Sequence, residues 1–290
     1  MDRTALLAAI KNSGGAGQPD GEVDGLLGKL TYLKETGRYG RLIANIASAN
    51  DKSNFLASVL EATFAFQFES AGFPLDYEVR QDEDHSTSID FLRKSDSGTS
   101  IYFEARMLQQ DNATTESIKD QLEKSSFYEI AMDGQDEHDA IIRLQNVILS
   151  KVQKRDGTPI KFLRVAPDTA NLVVVDVSDL ILGTVDVDDC LLATHGDPAV
   201  RDEHRRGIFG LFQEPLAVYP ERIQTIAKTF EHIRSTLSGV LFLFRPRGSG
   251  VLDYRLEQHL MYNARLIDEN GAKSLHAEIT AAVPVRSATT

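Results

Sequence analysis

Ser88-Ile89-Asp90-Phe91-Leu92-Arg93 and Ser100-Ile101-Tyr102-Phe103-Glu104-Ala105-Arg106-Met107-Leu108 are the two stretches whose reading decides the fold. Each is short and rich in β-branched or aromatic residues, as strands are, and each holds one carboxylate among apolar neighbours. The connection Lys94-Ser95-Asp96-Ser97-Gly98-Thr99 is made of turn formers, which predicts an antiparallel hairpin. Strand side chains alternate, so Glu104 and Arg106 share one face while Ala105 packs on the other. A carboxylate inside an apolar strand is costly unless it is paired or bound to a metal. Asp90 and Glu104 are therefore candidate functional residues. The plainer alternative for Asp90, Glu104 and Arg106 is a cross-strand salt network on a solvated face.

Before the hairpin, Pro74 to Arg80 reads as a third strand, followed by the acidic loop Gln81-Asp82-Glu83-Asp84-His85. Further upstream, Phe55 to Ser70 is a helix apolar around most of its circumference (Leu56, Val59, Leu60, Phe64, Phe66, Phe68), which predicts burial against a sheet. Ser53 or Asn54 is its expected N-cap and Gly72 its stop. This helix carries Glu61, with Glu69 as a rival carboxylate. Gly21 to Ala49 reads as two more helices, and Met1 to Gly21, like the tail Arg286 to Thr290, as a disordered end.

After the hairpin, Glu116 to Met132 is a mixed, polar helical stretch. Glu137 to Arg155 is a regular helix with Ile141, Leu144, Ile148 and Val152 on one side, ended by Asp156-Gly157-Thr158-Pro159. Leu172 to Val177 and Gly239 to Phe244 are near-continuous apolar runs, typical of strands covered on both faces. A helix from Pro220 to Thr236 leads into the second, the order expected of a parallel crossover. The fold class read from this order is α/β, a mixed sheet with helices on both faces. It divides into a helical N-terminal segment (1–52), a core (53–180) and an α/β extension of the same sheet (181–280).

With 290 residues, 42% hydrophobic and 26% charged, the chain has the composition of an ordinary globular protein. No secretory leader or membrane span is apparent, since the apolar run from Leu172 to Leu182 is broken by Asp176 and Asp179. A cytoplasmic location follows as the expectation. The lone Cys190 rules out an internal disulfide or a cysteine-based zinc site and reads as a buried apolar residue. The net charge of −12 lacks the basic footprint of a protein that tracks duplex DNA. A nucleic-acid partner thus rests on local basic groups such as Arg201, Arg205 and Arg206, or Arg245 and Arg247. A homo-oligomer is compatible with the sequence, and a membrane partner is not expected.

A helical Glu61, a strand Asp90, and Glu104-Ala105-Arg106 on the next strand form an ordered pattern that resembles the PD-(D/E)XK, or restriction-endonuclease-like, nuclease superfamily. The resemblance covers about Phe55 to Val177. Ile89 stands where the motif has Pro, and Arg106 where most active members have Lys. It implies a Mg²⁺-dependent nuclease in which Asp90 and Glu104 hold the metal, Arg106 stabilises the transition state and Glu61 is an accessory acid. Magnesium chemistry needs such oxygen ligands: the ion neutralises a scissile phosphate and acidifies a water. Lys can lose its proton in a site of this kind and Arg cannot, though Arg forks well onto phosphate. The helix after the hairpin offers Arg143, Gln145, Lys151 and Gln153, of which Lys151 or Gln145 is the preferred contributor. The alternative function is a nuclease-like domain without turnover that serves as a binding or scaffolding module.

Elsewhere, His195-Gly196-Asp197-Pro198, with His204 downstream, reads as an exposed Gly/Pro loop rather than a metal or catalytic centre. Arg245-Pro246-Arg247-Gly248-Ser249-Gly250 is the better candidate for a phosphate-contacting loop. No Walker loop, dinucleotide fingerprint or nucleophile elbow is present.

Overall fold

The hairpin forms as read and lies in the middle of a larger sheet. The computed structural model describes the chain except residues 16–17, 81–86, 110–115, 117–119, 122, 125–133, 155, 163–164, 179–184, 197–207, 219, 247 and 285–290. In chain order the elements are α1 (Arg3–Asn12), α2 (Asp20–Glu35), α3 (Gly40–Ser48), α4 (Lys52–Ser70), β1 (Asp76–Val79), β2 (Ile89–Lys94) and β3 (Ser100–Met107). There follow α5 (Gly134–Val152), β4 (Thr169–Asp176), α6 (Val187–His195), α7 (Glu221–Thr229), α8 (Glu231–Thr236), β5 (Gly239–Phe244), β6 (Glu257–Tyr262) and α9 (Glu269–Ala282). The six strands form one mixed sheet in sequence order, β1 to β6. β1, β2 and β3 are antiparallel, β3, β4 and β5 run parallel, and β6 returns antiparallel at the far edge. The protein is thus a mixed α/β fold with helices on both faces, and the strands of the 181–280 segment extend the sheet begun by the hairpin.

One face is covered by α1 to α4 and α9, the other by α5 to α8, each over its own apolar core. On the first face the decisive element is α4. Its Phe64 and Phe68 lie 4.8 Å apart, and Phe64 meets Phe91 of β2 and Phe103 of β3 at 5.4 Å each. These tilted and edge-on contacts add directionality to burial. They lock the helix over the hairpin, one turn after Glu61. Asp51, rather than Ser53 or Asn54, caps its start by accepting from the Asn54 N–H at 2.8 Å. Its end is a left-handed Gly72 (φ +85°) with the paired bonds Phe73 N–H to Phe68 O and Gly72 N–H to Glu69 O.

Several expectations need correction. The N-terminal stretch expected to be disordered contains α1, which buries Leu6, Ala9 and Ile10 against the core of the first face. The helix read from Pro220 to Thr236 is two, broken at Phe230, whose side chain is buried. Neither β6 nor α9 was read from the sequence. His195 is the last residue of α6, not a loop residue. Its ring sits edge-on to Phe212, with Nε2 3.1 Å from the Tyr262 carbonyl. Burial holds its pKa below the usual imidazole range, opposed by the Tyr262 bond, as suits a packed neutral ring. Gly196 closes that helix at φ +60°, where a Cβ would stand 2.2 Å from Gln213 Oε1 and 2.7 Å from Gly210 N. Cys190 is fully buried, as read, and burial raises its thiol pKa. The loop at 81–85, most of 116–132, and Asp197, Pro198, Arg201, His204, Arg205, Arg206 and Arg247 lie outside the described residues. No described helix is long and apolar enough to cross a membrane.

Candidate functional site

The β2–β3 ladder stops at the pair Phe91 and Phe103. One residue beyond, Asp90 Oδ2 accepts the N–H of Ala105 at 2.7 Å, so the aspartate occupies the place of a ladder bond. This point on β3 is level with Val173 and Val174 of β4 and with Val240 and Leu241 of β5. Three acidic side chains from three elements approach that point.

Glu104 is fully enclosed and points toward the α5 side of the sheet. Its Oε1 accepts from Lys151 Nζ at 2.6 Å and from Lys161 Nζ at 2.7 Å, while its Oε2 is buried with no hydrogen-bond partner. Lys151 comes from the last turn of α5, and Lys161 from the turn that follows it. Glu61 comes from α4 on the opposite side, and its Oε2 accepts the Tyr77 hydroxyl at 2.8 Å.

The charges of these groups act on one another. Burial pushes the Glu61 carboxyl up to about 8, and the nearby Asp90 and Glu104 charges add to the rise, against the Tyr77 hydroxyl and Lys151. Burial and the Glu104 charge push Asp90 up to about 6, against Lys151, Lys161 and the Ala105 N–H. Raised carboxyls held beside one another are the signature of a site that lacks positive charge for its full acidity. Such convergence is also found in structural networks, so chemistry must decide.

Arg106 lies two residues beyond Glu104 on β3 and is exposed. The cations that act most strongly on Asp90 are Lys151 and Lys161. Of the α5 candidates, Lys151 joins the cluster. Gln145 does not: its amide donates to the Ala193 and Phe209 carbonyls, both at 2.9 Å, tying α5 to α6. Gln153 likewise donates to the Thr229 carbonyl. Glu69 is structural too. Burial would raise its pKa, but Arg38, the Tyr39 hydroxyl and the Leu75 N–H together lower it. Arg245 turns inward, with Nη2 2.7 Å from Asp176 Oδ2 and its guanidinium 3.9 Å from the Tyr254 ring centre. It is thereby engaged within the fold.

Sequence reasoning missed Lys161. Its one signal was position: a lysine just after the Gly-Thr-Pro turn that ends a helix already carrying a candidate lysine. Clefts of about 710 and 670 Å³ open elsewhere, one around Ser95, Thr99 and Asp268 and one beside Lys29 and Tyr254. Neither is lined by the three carboxylates.

Among the described residues, no three His, Cys, Asp or Glu side chains stand close enough together to hold a metal ion as they are. The buried Glu104 Oε2, without a hydrogen-bond partner, is the one carboxylate oxygen of Glu104 that the two lysines leave open. Searches against models of known families, curated proteins and solved structures returned no match.

Proposed function

We propose that this chain is a divalent-cation-dependent phosphodiester hydrolase acting on nucleic acid, built on a restriction-endonuclease-like core. The observation that carries the reading is the meeting of Glu61, Asp90 and Glu104, from a helix and two strands, where the β2–β3 ladder ends. Asp90 and Glu104 would hold a Mg²⁺ ion, which when bound supplies charge neutralisation at the phosphate and an acidified water. The chain's own residues do the rest. The Ala105 N–H fixes the Asp90 carboxylate, the two lysines keep Glu104 oriented, and Tyr77 holds Glu61 as an accessory acid. Arg106 is near enough in sequence and free enough in solvent to meet a phosphate oxygen electrostatically. The overall charge of −12 argues against a continuous phosphate-tracking surface, but a few local cations serve a single scissile phosphate.

The test is cleavage of plasmid DNA, single-stranded DNA and RNA with Mg²⁺ or Mn²⁺. Cutting is expected with the wild type, and none with an Asp90→Ala, Glu104→Ala double variant. A second reading, a binding module without turnover, is favoured by the two lysines already engaged on Glu104. Metal-dependent retention of nucleic acid with no cleavage on any substrate would select it.

A further inference from the structure

The two lysines on Glu104 are unequal in how the chain delivers them. Both lysines act on Asp90, and Lys151, on a regular helix, also acts on Glu61. Lys161 is brought back by a built turn. The Lys154 N–H donates to the Thr158 carbonyl at 2.7 Å, Gly157 to Lys154 at 2.9 Å and Ile160 to Val152 at 2.8 Å. Gln153 and Pro159 form an isolated bridge, and the Thr87 hydroxyl donates to the Ile160 carbonyl at 3.0 Å. The residue after Lys161 is Phe162, buried in the core and held at φ +62°. A bulky side chain in the left-handed region is strained, and such strain persists only where its surroundings over-determine it, often beside functional groups. The turn thus sets a second ammonium on an oxygen that one ammonium would neutralise.

We propose that Lys161 is a second phosphate-contacting residue of this site, beside Arg106. On this assignment, which rests on the phosphodiesterase reading, Asp90 and Glu104 would hold a divalent cation, whose charge would weaken the hold of Glu104 on both ammonium groups. Lys151 would stay among the carboxylates, and Lys161 would turn its ammonium to an oxygen of the scissile phosphodiester. The turn after α5 thereby adds a second cationic group to the one Arg106 offers from β3.

The experiment uses a short fluorescent oligonucleotide, single-stranded and duplex, with Ca²⁺ as a non-cleaving ion and anisotropy as the readout. Calorimetry follows Ca²⁺ alone. Lys161→Met is expected to weaken oligonucleotide binding about tenfold, the usual loss for one charge-assisted contact. Its Ca²⁺ affinity should be unchanged or tighter, because a competitor for Glu104 has gone. Lys161→Arg should restore part of the oligonucleotide affinity. Should the Met variant fail to fold, Lys161→Gln, which can still donate to Glu104, takes its place. Wild-type oligonucleotide affinity in the neutral variant, or equal losses of Ca²⁺ and oligonucleotide binding, would overturn the assignment and leave Lys161 as a structural counter-ion. If the wild type itself binds neither Ca²⁺ nor oligonucleotide, the phosphodiesterase reading falls as well.

Discussion

At neutral pH Glu61 keeps its proton. Its carboxyl is held up to about 8 by burial and by Asp90 and Glu104, while the same group in the unfolded chain ionises near 4.5. Between those values the unfolded state binds fewer protons than the folded one, so this group makes stability fall as pH rises. The slope approaches about 1.4 kcal/mol per pH unit at most. Asp90 adds a shorter fall that ends near pH 6. Urea unfolding of Glu61→Gln between pH 5 and 8 should therefore show a shallower decline than the wild type. A parallel decline would mean that Glu61 is ionised in the fold. Arg106→Lys, at an exposed position, should leave stability within about 0.5 kcal/mol of the wild type. Asp90 and Glu104 could be read from the sequence because each is a carboxylate in an apolar strand, where a charge demands an explanation. Glu61 stands out only by its place in the superfamily pattern, with Glu69 as a rival. Lys161 could not be read. A lysine in a polar turn looks solvated until the backbone path from Gln153 to Ile160 is known.

At the scale of the element, α4 sets the position of Glu61, and its aromatic contacts are what hold it. Phe64→Ala should cost about 3–5 kcal/mol in chemical denaturation, since the ring touches Phe68, Phe91 and Phe103 and leaves a cavity between helix and hairpin. Gly72→Ala should cost about 1 kcal/mol, because the helix stop needs a left-handed residue there. The strongly apolar elements, α4, β4 and β5, were legible because burial on all sides leaves a compositional mark. β6 was not: its sequence Glu257-Gln258-His259-Leu260-Met261-Tyr262 belongs to an edge strand, and only Gln258 is fully covered. α1 is too short for its three buried residues to establish a period. The break at Phe230 is a tertiary effect, in which Arg234, itself buried, donates to the Ala227 carbonyl across the junction.

For the molecule as a whole, the sheet order places an antiparallel hairpin beside a parallel core, with the carboxylate cluster at the seam. The sequence supported that layout because the hairpin connection is short and the later strands are separated by helices. It did not supply the convergence itself, which depends on where the ladder ends. Ion binding at the seam should stabilise the entire fold by mass action, about 2.7 kcal/mol at a hundredfold excess over Kd. A rise in Tm with Mg²⁺ or Mn²⁺ is expected in the wild type and should vanish in Asp90→Ala, Glu104→Ala. An equal rise in both would place any bound ion elsewhere. Cys190 has a practical consequence of another kind. As the chain's single thiol, enclosed by α6 and the surrounding core, it should stay silent toward maleimide dyes in the native state. A cysteine introduced at the fully exposed Asp96, on the hairpin tip, would then take the label alone and offer a clean reporter for single-molecule work.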